Sequence, residues 1–179
     1  FLRRFSKSIS IPEEDLVEAF EIEKKFHKLI FVEKNKKKRI DLYNQLYSTV
    51  HPIYRRRSLV NQDPSQLKAR KAFLFKKELK NKSILEVGCG QGVFLMTCSK
   101  FKNTKELCGI DVSLPSRDII KRYPKIKFIN DDITEFKVHK KYEVVYSNHV
   151  LEHMATVDLH THLASINEAL IKGGTLIIN

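Results

Sequence analysis

The chain has 179 residues, 42% of them hydrophobic and 30% charged, which excludes a disordered tail and allows one domain with a buried core and a helical appendage. No stretch is apolar for long enough to cross a membrane as a helix, so no membrane span is expected. The net charge of +12 excludes a uniformly basic protein, because residues 1–82 hold 21 Lys+Arg against 10 Asp+Glu while residues 83–179 hold 12 against 11.

The first residue is Phe1, so the sequence reads as trimmed at its start. Residues 1–10 are basic and serine-containing, as transit peptides are, but the run is short and has no sustained apolar core. Ordinary N-terminal residues are the preferred reading. Pro12 followed by Glu13, Glu14 and Asp15 predicts a helix start, with acids near the positive end of the helix dipole. Leu16, Ala19, Phe20, Phe26 and Ile30 follow at helical spacing. A charged stretch runs from Lys34 to Arg39. Ile40, Tyr43, Leu46, Tyr47 and Val50 then predict a second amphipathic helix, ended by His51-Pro52. Asp63-Pro64 predicts a third, running to about Lys80 with Leu67, Ala72, Phe73 and Leu79 as apolar positions.

After Asn81-Lys82 short β-rich runs alternate with helical segments. Strands are predicted at Ile84–Val87, Leu107–Ile110, Lys127–Asn130, Glu143–Ser147 and Thr175–Ile178, and helices near 91–101, 114–123 and 157–171. Such alternation predicts an α/β fold with a mainly parallel sheet and flanking helices. The expected division is a basic, helical N-terminal cap region over 1–82 and an α/β domain over 83–179. Cys89, Cys98 and Cys108 are odd in number and form no CxxC pair, so reduced thiols and a cytoplasmic location are expected.

The strongest local signal is Ile84-Leu85-Glu86-Val87-Gly88-Cys89-Gly90-Gln91-Gly92. A strand ends, glycines fall at alternate positions, and a helix begins, as where a backbone must approach a ligand closely. Asp111 closes the second strand, where an acid accepts hydrogen bonds from ribose hydroxyls. Two features select among adenosine cofactors. A dinucleotide fingerprint places its third glycine where Val93 stands. Glu86, two residues before the first glycine, repels a pyrophosphate but favours the cationic end of S-adenosylmethionine. The plain alternative is a tight strand–helix turn with no ligand.

These segments resemble those of the class I S-adenosylmethionine-dependent methyltransferases over about residues 83–179. The resemblance rests on Glu86–Gly92, Gly109-Ile110-Asp111-Val112-Ser113, Phe128-Ile129-Asn130-Asp131-Asp132-Ile133, Val150-Leu151-Glu152-His153 and Glu168–Leu176, taken in order. It implies a Rossmann-like methyltransferase fold and S-adenosylmethionine as cofactor. By that resemblance Glu86, Gly88, Gly90 and Gly92 position the methionine part, and Asp111 holds the ribose. Asp132 meets the adenine amino group with the Ile133 backbone beside it, ahead of Asp131. Cys89 and Val112, inside the same segments, count with the cofactor-binding residues. Ser147 and Asn148 face the methionine carboxylate or the reacting methyl. The family sheet has seven strands, whereas this sequence stops at Asn179 after strand five, so it reads as truncated after about strand five.

His149-Val150-Leu151-Glu152-His153 formally matches a zinc-peptidase pattern, H-x-x-E-H. That pattern needs one continuous helix, and here it follows a strand end. Some members of the family carry E-x-x-E-H at this place and use a divalent ion; His149 replaces the first Glu, which removes a hard oxygen ligand, and no metal is expected. His149 and Asn148 are the expected catalytic groups, with His149 as a general base and an equally weighted structural role. For His153 a structural role leads. His160 and His162 are expected on a solvated helix face.

The basic half holds Lys34, Lys36, Lys37, Lys38 and Arg39 in one cluster and Arg55, Arg56 and Arg57 in another. A solvated helix face is the first reading, and an anionic acceptor the functional one. Tyr43, Tyr47 and Tyr54 interleave with these charges. The expected function is methyl transfer to a small-molecule or glycan-like acceptor. The alternatives are nucleic-acid methylation through the basic half and a non-catalytic cofactor-binding domain.

Overall fold

The computed structural model describes Ser6, residues 12–55, Ala69 and residues 71–179. By its internal contacts the chain divides into two compact units, Phe1–Leu67 and Lys68–Asn179.

The first unit contains α1 (Glu13–Val32) and α2 (Lys36–Arg55). The first turn of α1 carries Glu13, Glu14 and Asp15, as the acids after Pro12 predict. Leu16, Ala19 and Ile30 of α1, with Tyr43, Leu46, Val50 and Ile53 of α2, form the buried face of this pair. Of the charged stretch only Lys34 and Asn35 lie outside the helices. The Asn35 side chain accepts from the Lys38 amide at 3.1 Å and caps α2, which therefore starts inside the lysine run. Arg39 is buried and donates through Nη1 to the carbonyls of Glu33 (3.0 Å) and Lys34 (2.9 Å), satisfying groups at the end of α1. Helix α2 also continues past His51-Pro52, where an end was expected. Proline removes one helical hydrogen bond, but Val50 and Ile53 are both buried, and their packing carries the helix one further turn.

The predicted third helix falls partly outside the described residues, including Asp63, Pro64 and Leu67. Its described remainder is helical over 71–74, turns at Phe75, and continues as α3 (Lys76–Leu79). Ala72 and Leu79 are buried in the same core as β1, so this stretch belongs to the second unit and the division falls after Leu67.

The second unit runs β1 (Ile84–Val87), α4 (Val93–Cys98), β2 (Leu107–Asp111), α5 (Arg117–Arg122), β3 (Ile126–Asn130), β4 (Tyr142–Ser147), a 3₁₀ turn (Leu151–His153), α6 (Thr156–Ala169) and β5 (Leu170–Ile178). The five strands lie in the order β3-β2-β1-β4-β5, with every pairing parallel. Alternate residues of the central strands feed two cores. Ile84 and Tyr146 pack with Phe94, Leu95 and Cys98 of α4 on one face; Leu85, Val87 and Val145 pack with Ile166 and Ala169 of α6 on the other. Burial on both faces is what a parallel sheet requires.

Strand β5 starts five residues before the predicted Thr175, at Leu170, where a helix end was expected. Tyr142 pairs with Leu170 and Val144 with Thr175, so the extra residues bulge out around Gly173, whose φ is 76°. At the amino-terminal edge of the sheet, the Glu143 carboxylate accepts from Lys105 Nζ (2.9 Å), the Ser83 amide (3.0 Å) and Lys82 Nζ (3.2 Å). These contacts hold Glu143 down to a pKa of about 2.

Candidate functional site

Strand β1 lies between β2 and β4, so the chain reverses its direction of travel across the sheet there. Open parallel sheets bind ligands in the crevice beyond the carboxyl ends of the strands at such a point. Four predicted segments meet at that end: the glycine loop after β1, Asp111 closing β2, Asp131-Asp132 after β3, and Ser147-Asn148 at the end of β4.

The glycine loop is drawn tightly over the end of β2. The amides of Gly88 and Cys89 both donate to the Ile110 carbonyl, at 2.8 and 3.2 Å. Gly88, Gly90 and Gly92 all have positive φ, the left-handed region that glycine tolerates. A Cβ at Gly88 would also stand 2.3 Å from Val150 Cγ2, so the residue type is fixed by space as well. Asp111 locks the loop: its Oδ2 accepts from the Gly90 amide at 2.7 Å and its Oδ1 from the Ser113 amide at 3.0 Å. Oδ1 also accepts from the Ser113 hydroxyl at 3.3 Å, while Oδ2 retains a further lone pair, which leaves capacity for a ribose hydroxyl. Cys89 is buried beneath the loop, where its Sγ fills the space that a Cβ at Gly109 would need. The Asn130 side chain donates to the carbonyls of Asp111 (3.2 Å) and Val112 (2.6 Å), and so fixes the segment after β2. Sequence reasoning assigned Asn130 no role.

Glu86 is 1% exposed and pairs in register with Tyr146, on the α4 face of the sheet. Burial, then the nearby Glu86 charge, pushes the Cys98 thiol and the Tyr146 hydroxyl up. Glu86 thus places a buried carboxyl group at this end of β1, a group that attracts a cation when ionised. The Tyr146 ring stacks on Phe94 with centroids 3.8 Å apart.

Asp132 accepts from the Thr134 amide (2.8 Å) and hydroxyl (2.7 Å), which shapes the turn after β3. The Ile133 carbonyl accepts from His162 Nδ1 at 2.5 Å. His162 is therefore not on a solvated face: it is fully buried, and burial pulls its pKa down. The spacing of His162, Ile166 and Ala169 on one side of α6 was the signal available for this. His160 is exposed.

Ser147 and Asn148 are both buried, and Ser147 Oγ and Asn148 Nδ2 have no hydrogen-bond partner among the described residues. Two such donors at the carboxyl end of β4 fit a ligand bearing an oxygen acceptor. His149 adopts φ 53°, and its Nδ1 lies 2.7 Å from Glu152 Oε1. His153 sits in the 3₁₀ turn, so the H-x-x-E-H run spans no continuous helix. Among the described residues no three His, Cys, Asp or Glu side chains form a metal-holding group. In the first unit, Tyr43 is buried in the core and Arg39 caps α1, while Arg56 and Arg57 lie outside the described residues. Among the described residues no helix is long and apolar enough to cross a membrane.

A parallel sheet of this order, with a glycine loop after β1 and an acid closing β2, defines a Rossmann-like cofactor-binding domain. Residues 56–179 match the profile of the family described as Methyltransferase domain, and the chain belongs to that family. Among curated proteins it is similar to malonyl-[acyl-carrier protein] O-methyltransferase 1 of Ilyobacter polytropus, 34% identical over 73 residues, covering 38% of this chain and 27% of that protein. Malonyl-[acyl-carrier protein] O-methyltransferase 2 of the same organism is 31% identical over 105 residues, covering 54% and 38%. The chain thus matches well under half the length of these relatives. Solved structures of the same fold include the PH0226 protein from Pyrococcus horikoshii OT3, with TM-score 0.54 and 23% identity over 74% of this chain and 64% of that one. The glycopeptide N-methyltransferase MtfA complexed with sinefungin matches with TM-score 0.52 and 17% identity, over 62% and 53%.

Proposed function

We propose that this chain is the cofactor-binding part of an S-adenosylmethionine-dependent methyltransferase acting on a small-molecule acceptor. The observation that carries the reading is the Gly88–Gly92 loop locked by the Asp111 carboxylate at the end of β2, with buried Glu86 behind it. When bound, that cofactor supplies a methyl group on a sulfonium, open to in-line displacement by an acceptor atom. Asp111 holds the ribose, Asp132 and the Ile133 backbone border the adenine, and Glu86 favours the cationic end. Ser147 and Asn148 present donors to an oxygen of the ligand. Val112 borders the adenosine, and Cys89 sets the height of the loop. His149, steadied through Nδ1 by Glu152, is the candidate base for an acceptor that must lose a proton, and its Nε2 takes that proton on leaving its 3.4 Å contact with the Lys71 ammonium.

The curated relatives are named as O-methyltransferases of malonyl-[acyl-carrier protein], which favours an acyl-type acceptor over nucleic acid. The burial of Tyr43 and the capping role of Arg39 remove two groups from any nucleic-acid surface of the first unit. The test is calorimetry with S-adenosylmethionine and, separately, NAD, followed by release of S-adenosylhomocysteine with a panel of carboxylate, hydroxyl and amine acceptors. Binding of S-adenosylmethionine with turnover of one acceptor class is expected. No heat with S-adenosylmethionine overturns the cofactor, and binding without turnover on every acceptor overturns the enzyme.

A further inference from the structure

The helical stretch before β1 brings a cation to the ligand end of β4. Lys71 Nζ lies 2.6 Å from Asn148 Oδ1 and 3.4 Å from His149 Nε2. Asn179 Nδ2 donates to the same Asn148 oxygen at 2.7 Å. An asparagine side chain has one acceptor oxygen and one NH₂ group. Turning this amide over would set its NH₂ against an ammonium and a second NH₂, so the contacts themselves dictate its orientation. The NH₂ that results is buried and has no hydrogen-bond partner among the described residues. Ser147 Oγ, one residue earlier, is in the same condition. Ser147 stands in register with Val87, immediately before Gly88, so the backbone that carries both donors ends level with the start of the glycine loop.

We propose that Lys71 is a positioning residue which fixes Asn148 as a hydrogen-bond donor to a carboxylate oxygen at the amino-acid end of S-adenosylmethionine. This rests on the cofactor reading above. A carboxylate offers only acceptors at neutral pH, so it is matched by an NH₂ and a hydroxyl, and a protonated amine is not. The nearby ammonium adds favourable charge. Lys71 reaches a second group as well. An ammonium has donors only, so it faces the His149 Nε2 lone pair and leaves the ring proton on Nδ1, toward Glu152. One lysine thus orients both the cofactor contact and the neighbouring imidazole, although no motif marks it.

The experiment is calorimetry on the 179-residue chain with S-adenosylhomocysteine and with 5′-methylthioadenosine, which lacks the amino-acid end. Lys71→Met is expected to weaken S-adenosylhomocysteine binding about tenfold, the scale of one hydrogen bond involving a charged group. Lys71→Arg is expected to restore most of that loss. Asn148→Asp keeps an oxygen for Lys71 but replaces the NH₂ with a second carboxylate oxygen, and is expected to lose about tenfold or more. Methylthioadenosine binding is expected to be equal in all four chains, which a general defect in folding would not allow. Unchanged S-adenosylhomocysteine affinity in Lys71→Met or Asn148→Asp overturns the assignment, as does an equal loss of methylthioadenosine binding. If the unsubstituted chain binds neither ligand, the cofactor reading fails and this assignment fails with it.

Discussion

Gly88→Ala tests how the cofactor loop is fitted to the loop after β4. The added Cβ has two costs of different origin. At φ 76° an alanine backbone is strained, at about 1–2 kcal/mol for the left-handed region. The same Cβ lies 2.3 Å from Val150 Cγ2, and relieving such an overlap in a packed site costs a further 1–3 kcal/mol or so. The expected total is about 2–5 kcal/mol. The two parts are separable, because Val150 Cβ is 3.7 Å away, an ordinary contact. Val150→Ala removes the offending methyl at its own cost of about 1–2 kcal/mol for two lost carbons. In that background Gly88→Ala is expected to cost only the backbone strain. A double-mutant cycle from urea denaturation of the four chains, followed by circular dichroism, is therefore expected to show a favourable coupling of about 1–3 kcal/mol. Calorimetry with S-adenosylhomocysteine is expected to follow the same order, with part of the lost affinity regained in the double variant. Equal costs of Gly88→Ala in both backgrounds would refute the contact between the two loops.

Asp111→Ala removes the acceptors for the Gly90 and Ser113 amides and is expected to destabilise the chain by about 1–3 kcal/mol while lowering affinity for S-adenosylmethionine at least tenfold; normal affinity by calorimetry contradicts the assignment. His162 donates through Nδ1 to the Ile133 carbonyl, so its protonation must place a charge on buried Nε2, and its folded pKa lies below the unfolded value of 6.5. The unfolded chain therefore takes up the proton first: stability is full above pH 6.5 and falls on acidification toward the folded pKa, by at most about 1.4 kcal/mol per pH unit. Urea denaturation at pH 7.5 and 5.5 or so is expected to show this loss and its reduction in His162→Gln, whereas an identical loss in the variant counts against it. Glu143 is depressed instead, held by the Lys105 ammonium, the Ser83 amide and Lys82, so its contribution is complete above pH 4.5 and is lost as pH falls toward about 2. A carboxyl-carbon NMR titration of Glu143 is expected to show a midpoint near 2, and one near 4.5 refutes the clamp.

The part of the fold nearest the cofactor was the most legible in the sequence. Local backbone demands write themselves into residue types: Ile84–Val87 is a short apolar run buried on both faces, and Gly88, Gly90 and Gly92 occupy positive φ. The parallel pairing followed from the alternation of short strands with helices, whereas the order of the strands in the sheet was seen only in the structure. Helix ends were less legible, because tertiary packing overrides local signals. Ile53 holds α2 past Pro52, and Asn35 starts it within a lysine run that reads as solvated. Strand β5 begins at Leu170 because its partner Tyr142 is there to pair with, and no local pattern announces a partner.

By itself the sequence determined the class of fold and the glycine loop with its acidic partner, and it named the residues proposed to select a cofactor with a cationic end. Only the tertiary structure decided which polar groups brace the scaffold and which, among the described residues, stay buried without a hydrogen-bond partner. His162 passes from an expected surface position to the support of Ile133 because the helix face is set by α6 packing on the sheet. Lys71 reaches Asn148 across 77 residues of sequence, a pairing that parallel strand order creates and that no spacing along the chain encodes. Local chemistry is carried by adjacent residues, but the orientation of a side chain depends on every element that closes around it.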